Sequence, residues 1–316
     1  MDALSALLTG PRAQGAFLLR SVFDPPWSVR IADLAPLTLI TVVRGDGWVV
    51  PDDGPPVPLG TGDLAVVRGP DPYTLADLPD RVPQLVVHPG QVSTTPDGAG
   101  MCETLDLGVR AWGPGGGTVL LSGTYQLRGE VSGRLLRALP PVLRLGADEW
   151  SSPLPALLEA EIGRDEPGQE AVLDRLLDLL LISALRSHFT RDAERAPAWY
   201  RAHADPVVGR ALSLLHTDPA RGWTVRDLAA GTGVSRAALA RRFTELVGEP
   251  PMAYLTGWRL AQAADLLADP ALTLDAVARR VGYGSGFALS AAFKRVRGVS
   301  PQQFRTGSAP TGVPTA

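Results

Sequence analysis

The chain has one cysteine and four histidines among 316 residues. Cys102 by itself closes no intrachain disulfide and leaves no cysteine cluster with zinc spacing, which fits a reducing, cytoplasmic setting. It reads as a small buried hydrophobe rather than a reactive thiol. Only His88 falls in the first 145 residues, so a histidine cluster holding a metal is excluded there, although a carboxylate-rich one is not. No metal or cofactor is expected. The longest leucine-rich run, Leu176 to Leu185, is broken by Asp178 and Ser183, and Met1-Asp2-Ala3 lacks the basic start of a signal peptide. Neither export nor a membrane span is expected. A Walker-type phosphate loop and a nucleophile elbow are both missing, so ATPase and hydrolase chemistry have no candidate and no enzyme is expected.

What is present is 45% hydrophobic and 20% charged, with 34 glycines and 29 prolines. This composition suits a folded protein of two domains. Net charge is only −3, yet residues 205–316 hold 13 Lys and Arg against 8 Asp and Glu, while residues 1–204 hold 17 against 25. An acidic part is joined to a basic part. Such asymmetry suits a polyanionic partner for the basic part, and equally a solvated surface.

Thirty-seven of the glycines and prolines precede residue 147, and they separate short apolar runs that read as strands. These are Trp27 to Ile31, Leu37 to Val43, Gly47 to Val50, Val57 to Leu59, Leu64 to Val67, Tyr73 to Leu75, Gln84 to His88, Cys102 to Val109 and Thr118 to Leu121. Many short strands with tight turns predict a small barrel or jelly roll over 1–145. From Pro153 the period becomes helical, giving two helices broken at Glu166-Pro167-Gly168 within a segment 146–196. The second helix is apolar around much of its circumference: it either covers its own barrel or forms a subunit interface. A linker is expected at 197–205, and an all-α domain at 206–316.

That last domain repeats itself. Thr224 to Ser235 and Thr273 to Ser285 carry the same unit 49 residues apart. A Thr suited to N-capping opens a short helix, an Ala precedes a Gly by four residues (Ala229 and Gly233; Ala278 and Gly282), and a Ser opens a second helix that places Phe243 or Phe293 in the core. One such match is weak and two in register are strong: this is a double helix-turn-helix pattern whose second helices enter the major groove. Between them Pro251 starts a run through Ala268 with Leu255, Trp258, Leu260, Ala264 and Leu267 spaced for burial, a rod of about 27 Å.

On these residues, with Pro251-Met252-Ala253-Tyr254-Leu255, Trp258-Arg259-Leu260, Phe293-Lys294-Arg295 and Gly298-Val299-Ser300-Pro301-Gln302-Gln303-Phe304-Arg305, residues 206–305 resemble the DNA-binding domain of AraC/XylS-family transcription regulators. The front portion is similar to the cupin-type sensor domain of many members, through Val43-Arg44-Gly45, the turn from Gly60 to Asp63 and Leu139-Pro140-Pro141. The resemblance implies an α+β protein of two domains, a cupin-like β-barrel with helices and a double helix-turn-helix. It implies double-stranded promoter DNA as partner, a possible homodimer, RNA polymerase as a further partner if the chain is an activator, and modulation by a small-molecule effector in the barrel.

The resemblance places base-reading positions near Ala237, Ala240 and Arg241. Arg241 is the residue suited to a forked contact with guanine, and Ser235, Arg236 and Arg242 suit register and phosphate contacts. In the second unit the matching exposed positions are Gly286, Phe287, Ala288 and Ala291, which offer almost no hydrogen-bond donors. That unit is expected to contribute phosphate contacts from Ser285, Lys294 and Arg295 and apolar or shape-dependent readout. In the barrel, Trp27, Trp48, Tyr73, Trp112 and Tyr125 are candidates to line a ligand pocket with Arg44 or Arg68 as polar handles, against the alternative that the aromatics fill the core. Two rival functions remain open: a cupin-fold enzyme with a non-functional DNA-binding domain, and a regulator acting by protein interaction.

Overall fold

Leu37–Arg44 (β3, LTLITVVR) does not alternate apolar and polar residues because it is buried on both faces, and its burial falls off only at the last two residues. In the computed structural model, which describes residues 17–101, 104–125, 130–192 and 196–306, β3 lies inside a sheet that another sheet covers on one side and helices cover on the other. The described residues divide into two compact units: 17–125 with 136–192, and 196–306 with 130–135.

The front unit holds twelve strands among its described residues: Phe17–Phe23 (β1), Ser28–Ile31 (β2), β3, Asp46–Pro51 (β4), Val57–Gly60 (β5), Leu64–Arg68 (β6), Tyr73–Ala76 (β7), Leu85–His88 (β8), Val92–Thr94 (β9), Ala111–Trp112 (β10), Thr118–Tyr125 (β11) and Val142–Leu145 (β12). They form two six-stranded sheets, ordered β10-β1-β11-β3-β6-β12 and β5-β4-β7-β2-β8-β9. The expected barrel is thus a cupin-like pair of sheets rather than a closed ring. Phe23, Ile40, Val42 and Leu120 from one sheet meet Val29, Val49, Leu59 and Leu75 from the other in a shared core. The strand expected at 102–109 is not formed over its described part: residues 104–109 make turns and one isolated bridge, and the strand lies at Ala111–Trp112. Gly108 at φ 103° and Arg110 at φ 49° take left-handed conformations that break an extended run. Cys102 itself lies outside the described residues.

Helix α1 (Glu130–Leu136) precedes β12, and Leu154–Ile162 (α2) and Gln169–Arg191 (α3) follow it. One face of α3, with Leu173, Leu177, Leu180, Leu181 and Leu185, is buried, and Leu177 meets the first sheet, while Val172 and Leu179 stay exposed. Tyr125 donates its hydroxyl proton to the Leu177 carbonyl at 2.6 Å. Gly123 makes room for the Leu177 side chain, since a Cβ there would lie 2.6 Å from Leu177 Cδ2.

The helical unit comprises Ala198–Arg201 (α4), a 3₁₀ turn at Ala202–Ala204, then Val208–Thr217 (α5), Val225–Thr232 (α6), Arg236–Val247 (α7), Pro251–Leu267 (α8), Leu274–Arg280 (α9), Gly286–Arg297 (α10) and Pro301–Arg305 (α11). The stretch expected as a linker at 197–205 is therefore mostly helical, and Ala202 is fully buried beside Val208 and Leu212. The 17-residue α8, about 26 Å long, serves two cores. Tyr254 and Leu255 pack with α5, α6 and α7. Leu260, Ala263, Ala264 and Leu267 pack with α9 and α10. Residues 130–135 add Val131 against Trp258 and Ala261 of the same helix. Among the described residues no helix is long and apolar enough to cross a membrane.

Asp63 closes the β5–β6 turn. Its carboxylate accepts from the N–H groups of Gly60 (2.9 Å) and Ala147 (2.8 Å) and from Arg144 Nε (2.9 Å). Burial pushes its pKa up, but the two amides and the guanidinium outweigh that and hold it below its ordinary 3.8. Asp63→Ala is expected to lower stability in urea denaturation by about 2–3 kcal/mol. A lowered native pKa gives stability that is present above the unfolded value and lost as pH falls through the folded one, so wild type and Asp63→Ala should converge in stability as acid is added from pH 5 downward.

Candidate nucleic-acid interface

Each helix-turn-helix is assembled by side chains that satisfy helix ends. Thr224 caps α6 by accepting from Asp227 N–H while Asp227 accepts from Thr224 N–H, a reciprocal box. Gly233 then turns left-handed at φ 74°, and Ser235 caps α7 by accepting from Ala238 N–H at 3.2 Å. The second unit repeats this with Thr273 capping α9, Gly282 at φ 83°, and Ser285 accepting from Ala288 N–H at 3.2 Å. Gly282 is required twice over: besides its φ, a Cβ there would lie 2.5 Å from the Ala220 carbonyl oxygen. Its turn is one residue longer than the first, through Gly284.

On α7, Leu239 and Phe243 are fully buried, and Arg236, Ala237, Arg241 and Arg242 are exposed, with Ala240 half-buried. Arg241 lies 3.8 Å from Glu245, both side chains mostly in water, so little holds it and it is able to re-aim. Arg242 is placed differently from the expected phosphate contact. Its Nε donates to Asp205 at 2.8 Å, and Asp205 also accepts from the N–H groups of Val207 and Val208 at the start of α5. Burial raises the Asp205 pKa, but those amides and Arg242 bring it below its ordinary range. The Asp205–Arg242 pair fastens α7 to α5.

On α10, Leu289, Ala292 and Phe293 face inward. Ser285, Phe287, Ala288, Ala291, Lys294 and Arg295 are exposed. Gly286, expected on the reading face, is buried instead: its N–H donates to Asp275 Oδ1 at 2.6 Å, and a Cβ would lie 2.9 Å from the same oxygen. Two arginines of the motif are also structural. Arg259 donates to the carbonyls of Pro219 and Arg221, both at 2.7 Å. Arg305 donates to those of Leu267 (3.1 Å) and Leu272 (2.8 Å). Exposed cations that sequence reasoning left out are Arg226 on α6 and Arg279 and Arg280 on α9. Their signal was their place on the first helix of each unit, which crosses the phosphate backbone in such motifs. His216 is a core residue, bonded to the Tyr254 hydroxyl at 2.7 Å and stacked 4.5 Å from Trp258.

The front unit encloses a cavity of about 40 Å³ between its sheets. Of the seven candidate pocket residues, Tyr73 and Trp112 line it. The other five are engaged elsewhere or lie off its lining. Trp27 stacks on Phe23 at 4.9 Å, Arg44 donates to the Gly116 and Gly117 carbonyls, and Arg68 donates to that of Leu139. Tyr125 faces α3, and Trp48 pairs within the second sheet. The unforeseen lining includes Ser21, Asp33, Thr38, Gln91, Ser122 and Thr124, with no Lys, Arg or His among the described residues. Thr38 hydrogen-bonds the Tyr73 hydroxyl, whose pKa burial raises far above 10. Trp112 is 8% exposed, and among the described residues its Nε1–H has no acceptor.

A family profile described as a cupin matches residues 2–190, and one described as a helix-turn-helix domain matches 228–307. Two relatives, putative AraC-like transcription regulators of Streptomyces lividans and Streptomyces antibioticus, are each 32% identical over 314 residues, covering 96% of this chain and 98% of theirs. Among solved structures, the DNA-binding domain of AdpA in complex with a target DNA is 33% identical, covers 33% of this chain and 93% of its own, and superposes with a TM-score of 0.31.

The two arginines on α7 should separate experimentally. Asp205→Ala is expected to lower the stability of the helical unit by about 1–2 kcal/mol through its lost cap, and Arg242→Ala by less than about 1 kcal/mol, with the double variant non-additive. Arg241→Ala should leave the melting temperature unchanged in the same thermal scans.

Proposed function

The chain belongs to the AraC-like transcription regulators, with a cupin front domain and a helix-turn-helix DNA-binding domain, and on that premise we propose that α7 and α10 enter adjacent major grooves of a single operator. The observation that carries this is the sharing of α8 between the two helix-turn-helix cores. A rod of about 26 Å suits two reading heads set on successive grooves, which lie about 34 Å apart on one face of DNA. Arg241 is the direct reader on α7, donating in a fork to guanine O6 and N7. Arg236, Lys294 and Arg295 meet phosphates and set the register.

The front unit acts in this reading as a sensor, and its inter-sheet cavity receives the effector. The unpartnered Trp112 Nε1–H supports this, since a buried donor without an acceptor costs about 1–3 kcal/mol. A lining that holds the Asp33 carboxylate and no cationic side chain suits an uncharged molecule carrying a carbonyl or ether oxygen and disfavours anions. The free space is on the order of three waters, so the occupant is slim. A homodimer, if formed, would use the exposed Leu157, Val172 and Leu179 of α2 and α3.

Binding of the full chain to its own promoter should fall steeply with salt. Arg241→Ala is expected to lose about 1–3 kcal/mol for the specific site only, and Arg236→Ala to weaken all sequences alike and reduce the salt slope by about one. Equal losses on specific and scrambled DNA for Arg241→Ala would contradict its assignment as reader. For the cavity, butanone should raise the melting temperature, its isostere propionate should not, and Trp112→Phe should abolish the difference; a preference for propionate refutes the polarity assigned to the site.

A further inference from the structure

The two recognition helices present opposite chemistry at matching positions. Phe287 stands 50 residues after Ala237, and Ala291 stands 50 after Arg241. Phe287 is 85% exposed, the most exposed large apolar side chain among the described residues. Its backbone is nevertheless tightly placed. The Ser285 cap and the Gly286–Asp275 bond hold the first turn of α10 on one side of it, and Leu289, fully buried, holds the other. Phe287, Ala288 and Ala291 share one face by their three- and four-residue spacings. Further along the exposed surface come Lys294 and Arg295. The face therefore runs from apolar at the helix start, where base edges are met, to basic at its end, where phosphates lie.

We propose that α10 reads thymine: Phe287, flanked by Ala288 and Ala291, packs against the C5-methyl groups of thymines in the major groove. This rests on the assignment of α7 and α10 as DNA-reading helices. The reason is one of elimination among base-edge features. Guanine, adenine and cytosine are told apart in the major groove by donors and acceptors, and the one apolar feature on offer is the thymine methyl. The Ser285 hydroxyl oxygen accepts from Ala288 N–H in the helix cap, and the exposed side chains of the first two turns of α10, Phe287, Ala288 and Ala291, are all apolar. A phenyl ring that is 85% exposed in the protein recovers burial only when that surface is met. The operator half under α10 is accordingly thymine-defined, and the half under α7 is guanine-defined through Arg241.

The test starts by selecting binding sites for the full-length chain from random-sequence DNA, then replacing each thymine of the selected site by deoxyuridine. That exchange removes the methyl group and keeps O4. Wild type should lose about three- to tenfold in affinity at one or two positions in one half of the site. Phe287→Ala should bind the thymine site weakly by a similar factor and be indifferent to deoxyuridine at those positions, while Arg241→Ala keeps the wild-type response to deoxyuridine. Because the Phe287 side chain makes so little contact, Phe287→Ala should melt at the wild-type temperature. A specific site whose deoxyuridine versions all bind within twofold of the original overturns the thymine assignment, as does equal deoxyuridine sensitivity in Phe287→Ala. Failure to enrich any sequence overturns the DNA-reading assignment as well.

Discussion

One helix that belongs to two cores is the constraint on which the DNA-binding half depends. The Tyr254–Leu255 end of α8 is buried with the first helix-turn-helix, and the Leu260–Leu267 end with the second. Neither unit has an independent interior, because each completes its core with one end of the same rod. Ala261, Ala263 and Ala264 let neighbouring backbones come close along it, and Arg259 ties its middle to the carbonyls beyond α5. Two reading heads mounted on one packed helix keep their separation through side-chain packing that resists deformation. In the proposed binding mode their spacing along DNA is thus a property of the core rather than of a flexible joint.

Mounted on that rod, the two heads have diverged in chemistry while keeping the same scaffold. Thr, Gly and Ser positions recur because they satisfy helix ends and permit a left-handed turn, and Phe243 and Phe293 recur because each fills a core. The exposed positions carry no such constraint. There the first head has Arg241 and the second has Phe287 and Ala291. A similar division between fixed frame and free surface holds in the front unit, where the sheets share a core of large apolar residues around a mostly apolar cavity into which hydroxyls, the Gln91 amide and the Asp33 carboxylate are set.

The features legible in the sequence are those set by near neighbours along the chain. The capping residues and the duplicated unit are contiguous patterns, and most apolar runs of the front unit became strands. The strand Phe17–Phe23 was missed because Arg20 interrupts its apolar run, and Ala111–Trp112 because it is two residues long. What pairs across distance was not legible. Arg242 reads as a surface cation until Asp205, 37 positions away, is seen beneath it. Gly286 reads as exposed until Asp275 is seen to take its N–H. The cavity lining depends on which strands face one another across two sheets, so aromatic residues chosen by type fell mostly on other surfaces, and Ser21, Asp33 and Ser122 were invisible as a group.

The central claim, that two heads on one rigid helix read one face of DNA, is tested most directly by a guanine-methylation and hydroxyl-radical footprint of the full chain on a selected operator. The account predicts protection in two major-groove segments on the same face, centred about one helical turn apart, with the intervening minor groove approachable. A single protected groove segment, or two on opposite faces of the duplex, would contradict it.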